Sequence, residues 1–296
     1  MSGFSADWLA LREPHDHRAR AIATFGSVPA RDREPADLAR SAPLCLVDLG
    51  CGNGSNLRYL APRLGGHQHW RLLDNDPRLL ADLHTRLNAW AGALQARFHA
   101  TAADTFEIHA PGFRLTATTQ CVDLSAGAGV LALRPGECVT ASALLDLVSQ
   151  RWLDTLIDAC VAGGHPLLWA LSYDGRLEWM PDDPVDDLIH TRFDHHQRGD
   201  KGFGAALGPE AARHAIDRLA VHAHSLLVRR SDWLLAPHDT AIQHALLDDW
   251  TAAVMQIAAQ NCRDIEAWSL RRRALIDAGQ SQLRVGHLDL AANFSR

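Results

Sequence analysis

The chain has 296 residues, of which 47% are hydrophobic and 22% charged, and its formal net charge is −6 with the histidines neutral. This composition is typical of a globular protein, and the length suits one large domain or one domain with a cap. An acidic chain without a basic stripe is not expected to bind nucleic acid. The one basic cluster, at residues 271–273, is interpreted as the solvated face of a helix.

The sequence carries no signal for secretion, membrane insertion or metal binding. The N-terminus lacks the basic start and apolar core of a signal peptide, and no apolar run approaches the ~20 residues that cross a bilayer. We therefore expect a cytoplasmic protein that makes no membrane contact. The six cysteines include no C-x-x-C pair, so neither a disulfide framework nor a zinc site is expected, and no metal is predicted.

Apolar spacing predicts a helical N-terminal extension followed by alternating strands and helices. The extension covers residues 1–42, with an amphipathic helix at 5–24 and a short helix near 35–41. After it, the pattern predicts strands at 44–49, 68–73, 137–143 and 166–172, helices at 54–64, 77–91 and 149–162, and mainly strand over 96–122. This alternation indicates an α/β fold with a mainly parallel, Rossmann-like sheet and helices on both faces.

The alternation stops after residue 172. The segment at about 173–209 is too polar for a core element and long for a structureless loop, so we predict a lid or substrate-binding segment there. A helix at 209–221, a strand at 224–235, a helical insertion at about 238–279 and a strand at 282–292 are predicted next. The apolar alternation of the last strand favours an antiparallel position in the sheet.

A glycine-rich loop directly follows the first predicted strand. Gly50, Gly52 and Gly54 allow the backbone to turn tightly and to approach a ligand closely. The helix that follows presents unpaired N–H groups and a positive dipole end. Asp74 ends the second predicted strand, 20 residues beyond Gly54, where a carboxylate can accept hydrogen bonds from both hydroxyls of a ribose. The combination predicts a site for a nucleoside-containing cofactor.

The glycine spacing separates two kinds of cofactor. Nicotinamide and flavin dinucleotide sites use G-x-G-x-x-G, whereas this loop reads D-x-G-x-G-x-G from Asp48 to Gly54. That pattern resembles the first motif of the class I S-adenosylmethionine-dependent methyltransferases. The likeness continues in order along the chain through Asp74-Asn-Asp-Pro77, Cys121-Val-Asp-Leu124 and Thr140-Ala-Ser-Ala-Leu-Leu-Asp146. A final reversed strand is also typical of that family.

The resemblance implies S-adenosylmethionine as the cofactor. In the family, the glycine loop holds the aminoacyl part, the acid after the second strand meets the ribose, and an acidic segment meets the adenine. Carried over to this chain, the cofactor-binding residues are expected to be Asp48, Gly50, Cys51, Gly52, Gly54, Asp74, Asn75, Asp123, Leu124 and Ser142.

The acceptor side of the site is less evident from the sequence. Because a sulfonium methyl is already electrophilic, positioning of the acceptor supplies much of the rate, and a base is needed only if the acceptor must lose a proton. The candidate bases are His195, His196 and Asp146. The candidate acceptor-binding residues are Trp8, Arg12, Tyr173, Asp200 and Lys201.

We therefore expect a class I methyltransferase that transfers a methyl group to oxygen or nitrogen of a small polar metabolite. The fourth-strand segment lacks the Asn/Asp-Pro-Pro-aromatic sequence of enzymes that methylate nucleic-acid bases, which agrees with a small-molecule acceptor. An aminopropyl-type transferase on the same fold and a non-catalytic cofactor-binding module remain as alternatives. The sequence leaves the oligomeric state open.

Overall fold

The computed structural model describes residues 4–20 and 42–294. The predicted short helix near 35–41 and the end of the predicted helix at 5–24 lie outside these residues. Eight α-helices occur in the described residues. They are α1 (Ala6–Ala19), α2 (Ser55–Leu64), α3 (Pro77–Ala93), α4 (Gln150–Gly163), α5 (Asp186–Gln197), α6 (Ala211–His222), α7 (Thr240–Ile257) and α8 (Cys262–Asp277).

The same residues contain ten strands that form one sheet. The strands are β1 (Leu44–Leu49), β2 (Gly66–Asp74), β3 (Arg97–Ala100), β4 (Thr105–Ala110), β5 (Phe113–Cys121), β6 (Glu137–Ser142), β7 (Leu167–Met180), β8 (Ser225–Arg230), β9 (Trp233–Leu235) and β10 (Gln282–Asn293). Their order is β3-β4-β5-β2-β1-β6-β7-β10-β8, with β9 paired to β10.

The five central strands β5, β2, β1, β6 and β7 are parallel to one another, and β10 is antiparallel to β7. This arrangement confirms the predicted mainly parallel sheet with a reversed last strand. Helices pack on both faces of the sheet, burying one apolar cluster that includes Trp152 of α4 and another that includes Leu83 of α3. Parallel strands that are covered on both faces read as continuous apolar runs, which is why Leu44–Leu49 was recognisable in the sequence.

Two strand predictions differ from the structure. The strand predicted at 166–172 continues as β7 to Met180, and the strand predicted at 224–235 is two strands, β8 and β9. A break between β8 and β9 allows Ser231 to donate its hydroxyl proton to Asp289 at 2.6 Å. The second half of β7 contains polar residues, so the apolar pattern did not indicate a strand there. Its buried side chains pack against a separate apolar cluster rather than the main core.

A third apolar cluster forms a cap beyond the parallel part of the sheet. It joins the second half of β7, the first half of β10 and β9 to helices α5, α7 and α8. Its centre contains Trp179, Trp250 and Trp268, whose rings meet nearly perpendicularly at 5.8 and 6.5 Å between centroids. The region predicted as a polar lid therefore contains a packed helix, α5, and the predicted helical insertion is the helix pair α7 and α8.

The solvated-face interpretation of residues 271–273 is wrong for Arg272. This side chain is fully buried in the cap, where it pairs with Asp186 and donates to the carbonyl oxygen of Pro181 at 2.6 Å. Its guanidinium also lies over the ring of Trp179, 5.2 Å from the centroid. The adjacent Arg271 and Arg273 are on the outer side of α8, with exposed ion pairs to Asp183 and Asp248.

Replacing Arg272 with alanine is expected to destabilise the fold by roughly 3–5 kcal/mol, because it leaves the Asp186 carboxylate without its buried cation. The matched control is Arg273→Ala, whose exposed pair contributes about 0–1 kcal/mol. Urea unfolding followed by circular dichroism measures both changes. Equal losses for the two variants would show that Arg272 is not a structural centre of the cap.

Candidate active site

The glycine loop lies at the carboxyl end of β1, between β2 and β6 in the middle of the sheet. Gly50, Gly52 and Gly54 have φ values of 64°, 52° and 86°. These are left-handed conformations, which residues with a Cβ rarely adopt. The residue types that predicted the loop are therefore required by its backbone.

Side chains of two other elements lie close to the loop. A Cβ on Gly52 would lie 3.1 Å from Cδ1 of Leu9, and a Cβ on Gly50 would lie 3.5 Å from Cδ1 of Leu144. Leu9 belongs to α1 and Leu144 follows β6, so these elements meet the loop from two sides. The loop thus connects the N-terminal helix with the segment that contains Asp146.

Asp74 fastens the glycine loop to the end of β2. Its carboxylate accepts hydrogen bonds from the backbone N–H of Gly52 at 2.8 Å and of Asp76 at 2.9 Å. Burial raises the pKa of Asp74, although both backbone donors lower it. Asp76 caps α3 by accepting from the N–H of Arg78 at 2.8 Å. Asp74 is therefore left facing the loop rather than capping the helix.

Asp48 is completely buried beneath the loop. Its Oδ1 accepts from the side-chain amide of Asn56 at 2.6 Å. Its Oδ2 is buried without a hydrogen-bond partner in the described part of the chain. Burial raises the pKa of Asp48 to about 7, opposed by the Asn56 hydrogen bond and by the charge of Arg20. The unpartnered oxygen leaves one acceptor position open next to the glycine loop.

The remaining residues expected at the cofactor occupy the same edge of the sheet. Cys51 is buried in the loop, and its N–H donates to the carbonyl oxygen of Leu73 at 3.0 Å. Asn75 and Asp123 are exposed after β2 and β5, and Leu124 is buried beside Asp123. Asp123 accepts from the N–H of Ser125 at 2.9 Å, which lowers its pKa. Ser142 is half-buried at the end of β6.

Helix α1 packs directly against the start of α2. Glu13 forms an ion pair with Arg58 at 2.5 Å, and His17 Nε2 lies 3.1 Å from the hydroxyl of Ser55. Arg20, just after the helix, donates to Asn56 Oδ1 at 2.7 Å and lies over the ring of Tyr59 at 4.2 Å. These contacts place the N-terminal helix beside the helix that follows the glycine loop.

Arg12 faces inward from α1 between two tryptophans. Its guanidinium carbon lies 5.9 Å from the ring centroid of Trp8 and 5.1 Å from that of Trp233. It also donates two hydrogen bonds to Asp16, at 2.8 and 3.2 Å. Asp16 accepts a further one from Trp233 Nε1 at 3.1 Å. The charge of Arg12 is therefore compensated within the N-terminal helix.

Asp146 lies in a short 3₁₀ turn after β6, two residues beyond Leu144. Its Oδ1 is buried and has no hydrogen-bond partner in the described residues. Burial raises the pKa of Asp146 to about 6, while Arg12, the backbone of Tyr173 and Lys201 lower it. These four residues were predicted separately and come from four elements. We call Arg12, Asp146, Tyr173 and Lys201 the Asp146 cluster.

The two histidines of the sequence prediction separate in the structure. His195 is exposed on α5. His196 is half-buried, with Nε2 3.3 Å from Gln256 Oε1 and with a buried Nδ1 that lacks a partner among the described residues. Burial lowers the pKa of His196, and the charge of Lys201 lowers it further. Of the pair, only His196 adjoins the Asp146 cluster.

Asp200 and Lys201 are neighbours with different environments. The Asp200 carboxylate accepts from the N–H groups of Gly202 and Gly204 at 2.6 and 3.0 Å, which closes a surface turn. Lys201 is half-buried, and burial lowers its pKa while the charge of Asp146 raises it. Its Nζ lies 3.5 Å from the carbonyl oxygen of His196. The turn thus places Lys201, and not Asp200, beside Asp146.

Sequence reasoning missed His287, which is opposite Tyr173 in the β7–β10 pair. The two rings are 6.4 Å apart, and the ring of Trp233 is 5.2 Å from His287. Burial lowers the pKa of His287 to about 3, and its Nδ1 has no partner in the described chain. Tyr173 donates its hydroxyl to Asp194 at 2.9 Å. Strand alternation predicts which face His287 occupies but not the distant residues it meets.

The molecule combines a mainly parallel sheet, a reversed last strand and a glycine loop after β1. The chain has the fold of the class I S-adenosylmethionine-dependent methyltransferases. No protein-family model and no curated protein matches the sequence. The fold is therefore assigned from its own strand order and loop.

Several solved structures are similar at low sequence identity. A cyclopropane-fatty-acyl-phospholipid synthase-like protein from Lactobacillus casei is 14% identical, with 98% of this chain and 94% of that chain covered and a TM-score of 0.46. Phosphoethanolamine N-methyltransferase 2 from Haemonchus contortus is 11% identical, with 99% and 58% covered and a TM-score of 0.43. A methyltransferase from Geobacter sulfurreducens, solved with S-adenosylhomocysteine, is 12% identical, with 99% and 100% covered and a TM-score of 0.38.

Residues 4–20 and 42–294 contain no group of three or more histidine, cysteine, aspartate or glutamate side chains arranged to hold a metal ion. None of the helices in this part of the chain has the length and apolar composition needed to cross a membrane.

The buried carboxyl of Asp48 predicts a pH-dependent stability. Because its pKa is raised to about 7, the folded state keeps a proton that the unfolded state releases above its ordinary value near 4. The stabilisation from that proton is lost as pH rises from about 4 through 7, and the loss reaches roughly 4 kcal/mol.

Asp48→Asn is expected to remove this term. The variant should therefore gain stability relative to the wild type between pH 4.5 and pH 8, as measured by urea unfolding without cofactor. Asp217→Asn, at an exposed acid on α6, serves as the control and should show a constant difference. A pH-independent difference for Asp48→Asn would contradict the raised pKa.

Proposed function

We propose that the protein is an S-adenosylmethionine-dependent methyltransferase acting on oxygen or nitrogen of a small polar acceptor. The observation that carries the proposal is the convergence of the glycine loop, Asp74 and the Asp146 cluster at one edge of the sheet. In open α/β sheets, ligands bind beyond the carboxyl ends of the strands. The cofactor loop and the candidate acceptor residues occupy that edge.

The residues around the loop fit the proposed cofactor. Two buried polar atoms there have no partner in the described residues, Asp48 Oδ2 as an acceptor and Asn53 Nδ2 as a donor. A buried polar atom without a partner costs free energy, so a ligand with a cationic amine and a carboxylate would stabilise both. We assign Asp74, whose carboxylate also accepts from the N–H groups of Gly52 and Asp76, to the ribose hydroxyls, and the exposed Asp123 to the adenine.

The cofactor would supply an electrophilic methyl group bound to sulfonium sulfur. The protein then has to hold the acceptor atom in line with that methyl and exclude competing water. Leu144 contacts the glycine loop while Asp146 follows two residues later. This short connection fixes the acceptor-binding carboxylate relative to the cofactor loop.

Asp146 is the strongest candidate for the proton acceptor. It has a buried oxygen without a partner and a pKa raised to about 6, so that it is ionised at neutral pH but basic for a carboxylate. His195 is exposed, and His196 lies behind Lys201 in contact with Gln256. We therefore assign the base role to Asp146 and to neither histidine. His196 is a neighbour of Lys201.

Cofactor binding tests the first half of the proposal. Isothermal titration with S-adenosylhomocysteine should give a measurable affinity, and Asp74→Asn should weaken it about tenfold or more, because a charged hydrogen bond to ribose contributes more than a neutral one. Asp217→Asn controls for loss of a surface charge. Absence of binding by the wild type, or an unchanged affinity in Asp74→Asn, would refute the assignment.

Proton transfer to Asp146 predicts a pH profile. The wild-type kcat/KM should fall as pH decreases through about 6, since Asp146 becomes protonated there. Asp146→Asn should lower kcat by about 10²–10⁴-fold and lose this acid limb, while its affinity for S-adenosylhomocysteine stays unchanged. An acid limb that persists in Asp146→Asn would assign the base to another residue.

A further inference from the structure

The chain contains a single lysine, Lys201, among its 29 lysine and arginine residues. Every other basic side chain of this class is an arginine, so arginine is the ordinary surface cation of the molecule. Lysine and arginine differ physically, because an ammonium is a compact point charge while a guanidinium is a planar fork. The one exception lies half-buried beside Asp146, in the site already described.

The other charges near Lys201 have partners within the described chain. Arg12 is paired with Asp16 by two hydrogen bonds, and Asp194 accepts from Tyr173 and lies 3.5 Å from His190. His287 has a pKa lowered to about 3 by burial, which leaves its ring neutral. Two opposite charges thus remain, on Asp146 and Lys201.

Asp146 and Lys201 do not satisfy each other. The loop after Lys201 is bonded to the segment after Asp146, since the N–H of Leu207 donates to the carbonyl oxygen of Val148 at 2.9 Å. Even so, no ion pair or hydrogen bond joins the Asp146 and Lys201 side chains in the described structure. Lys201 Nζ approaches only a carbonyl oxygen, at 3.5 Å, and Asp146 Oδ1 is buried without a partner. A ligand with a positive and a negative end would compensate both charges, whereas a simple cation or anion would leave one unpaired.

We propose that the acceptor is an amine that also carries an anionic group, with the nitrogen at Asp146 and the anionic group at Lys201. This inference rests on the proposed function and specifies its acceptor. An amine suits Asp146 better than an alcohol, because an ammonium gives up its proton far more readily to a carboxylate of this basicity. The anion is a carboxylate or a phosphonate-like group, both of which pair with an ammonium.

The ammonium of the acceptor transfers one proton to the Asp146 carboxylate, and the nitrogen lone pair then forms the bond to the methyl carbon. The bond between that carbon and sulfur breaks, and its electron pair stays on the sulfur of S-adenosylhomocysteine. The methylated amine leaves as an ammonium, and Asp146 returns its proton to water.

Matched probes test the proposal by their turnover. Glycine, β-alanine, 4-aminobutyrate and 2-aminoethylphosphonate carry both groups, while ethylamine, propylamine and butylamine lack the anion. We expect the wild-type enzyme to methylate at least one of the first set with kcat/KM about tenfold or more above the alkylamine of similar length. Mass spectrometry of the methylated amine and of S-adenosylhomocysteine measures the rates. Comparison of the carboxylates with the phosphonate identifies the anion.

Variants of the lysine assign this preference to Lys201. Lys201→Gln should raise KM for the anionic amine about tenfold or more and should lower the ratio of kcat/KM for anionic amines over alkylamines by a similar factor. Lys201→Arg keeps the charge and should recover part of that loss. A variant whose rates fall equally for both sets would overturn the proposal.

Chemical labelling provides a readout that does not depend on turnover. Because Lys201 is the only lysine, acetic anhydride modifies one internal residue, which peptide mass spectrometry separates from the N-terminus. With S-adenosylhomocysteine bound, an anionic amine should lower the ratio of Lys201 acetylation to N-terminal acetylation, and an alkylamine should not. The ratio corrects for the reagent that the added amine consumes. If no anionic amine protects Lys201 or is methylated while the cofactor binds normally, the acceptor class is wrong although the cofactor assignment stands. Failure to bind S-adenosylhomocysteine would instead refute the function itself.

Discussion

The side-chain amide of Asn56 joins the parts of the molecule on which the cofactor loop depends. Its nitrogen donates to Asp48 of β1 and to the hydroxyl of Thr140 of β6, at 2.6 and 3.0 Å, while its oxygen accepts from Arg20. Two neighbouring strands, the helix after the glycine loop and the N-terminal segment are thereby held by one planar group. Because all these atoms are buried, each bond lost leaves a polar group without water to replace it.

This network also explains how a carboxylate can persist inside a mainly apolar strand. A single buried acid is costly, but Asn56 compensates one oxygen and the charge of Arg20 offsets part of the burial. The second oxygen remains available beside the loop. A buried oxygen without a partner lowers the stability of the fold. A ligand that supplies the partner would restore that stability in the complex.

Much of the site could be predicted because its signals are local. Left-handed backbone at Gly50–Gly54 requires glycine, and Asp74 ends an apolar run, so the loop and its partner acid are legible in the sequence. The role of Arg272, the environment of His287 and the exposure of His195 were not legible. Each depends on residues that are distant in the chain, such as Asp186 for Arg272, and periodicity carries no information on such pairs.

The long antiparallel pair of β7 and β10 joins the cap to the sheet. These strands pair from Leu167 with Ala292 to Met180 with Gln282, so the same two strands belong to the main sheet at one end and to the cap at the other. Movement of the cap away from the sheet would break the backbone hydrogen bonds between these two strands. Helix α1 is held against the glycine loop by side-chain contacts instead. Displacement of α1 would therefore leave the β7–β10 ladder intact, whereas displacement of the cap would break it.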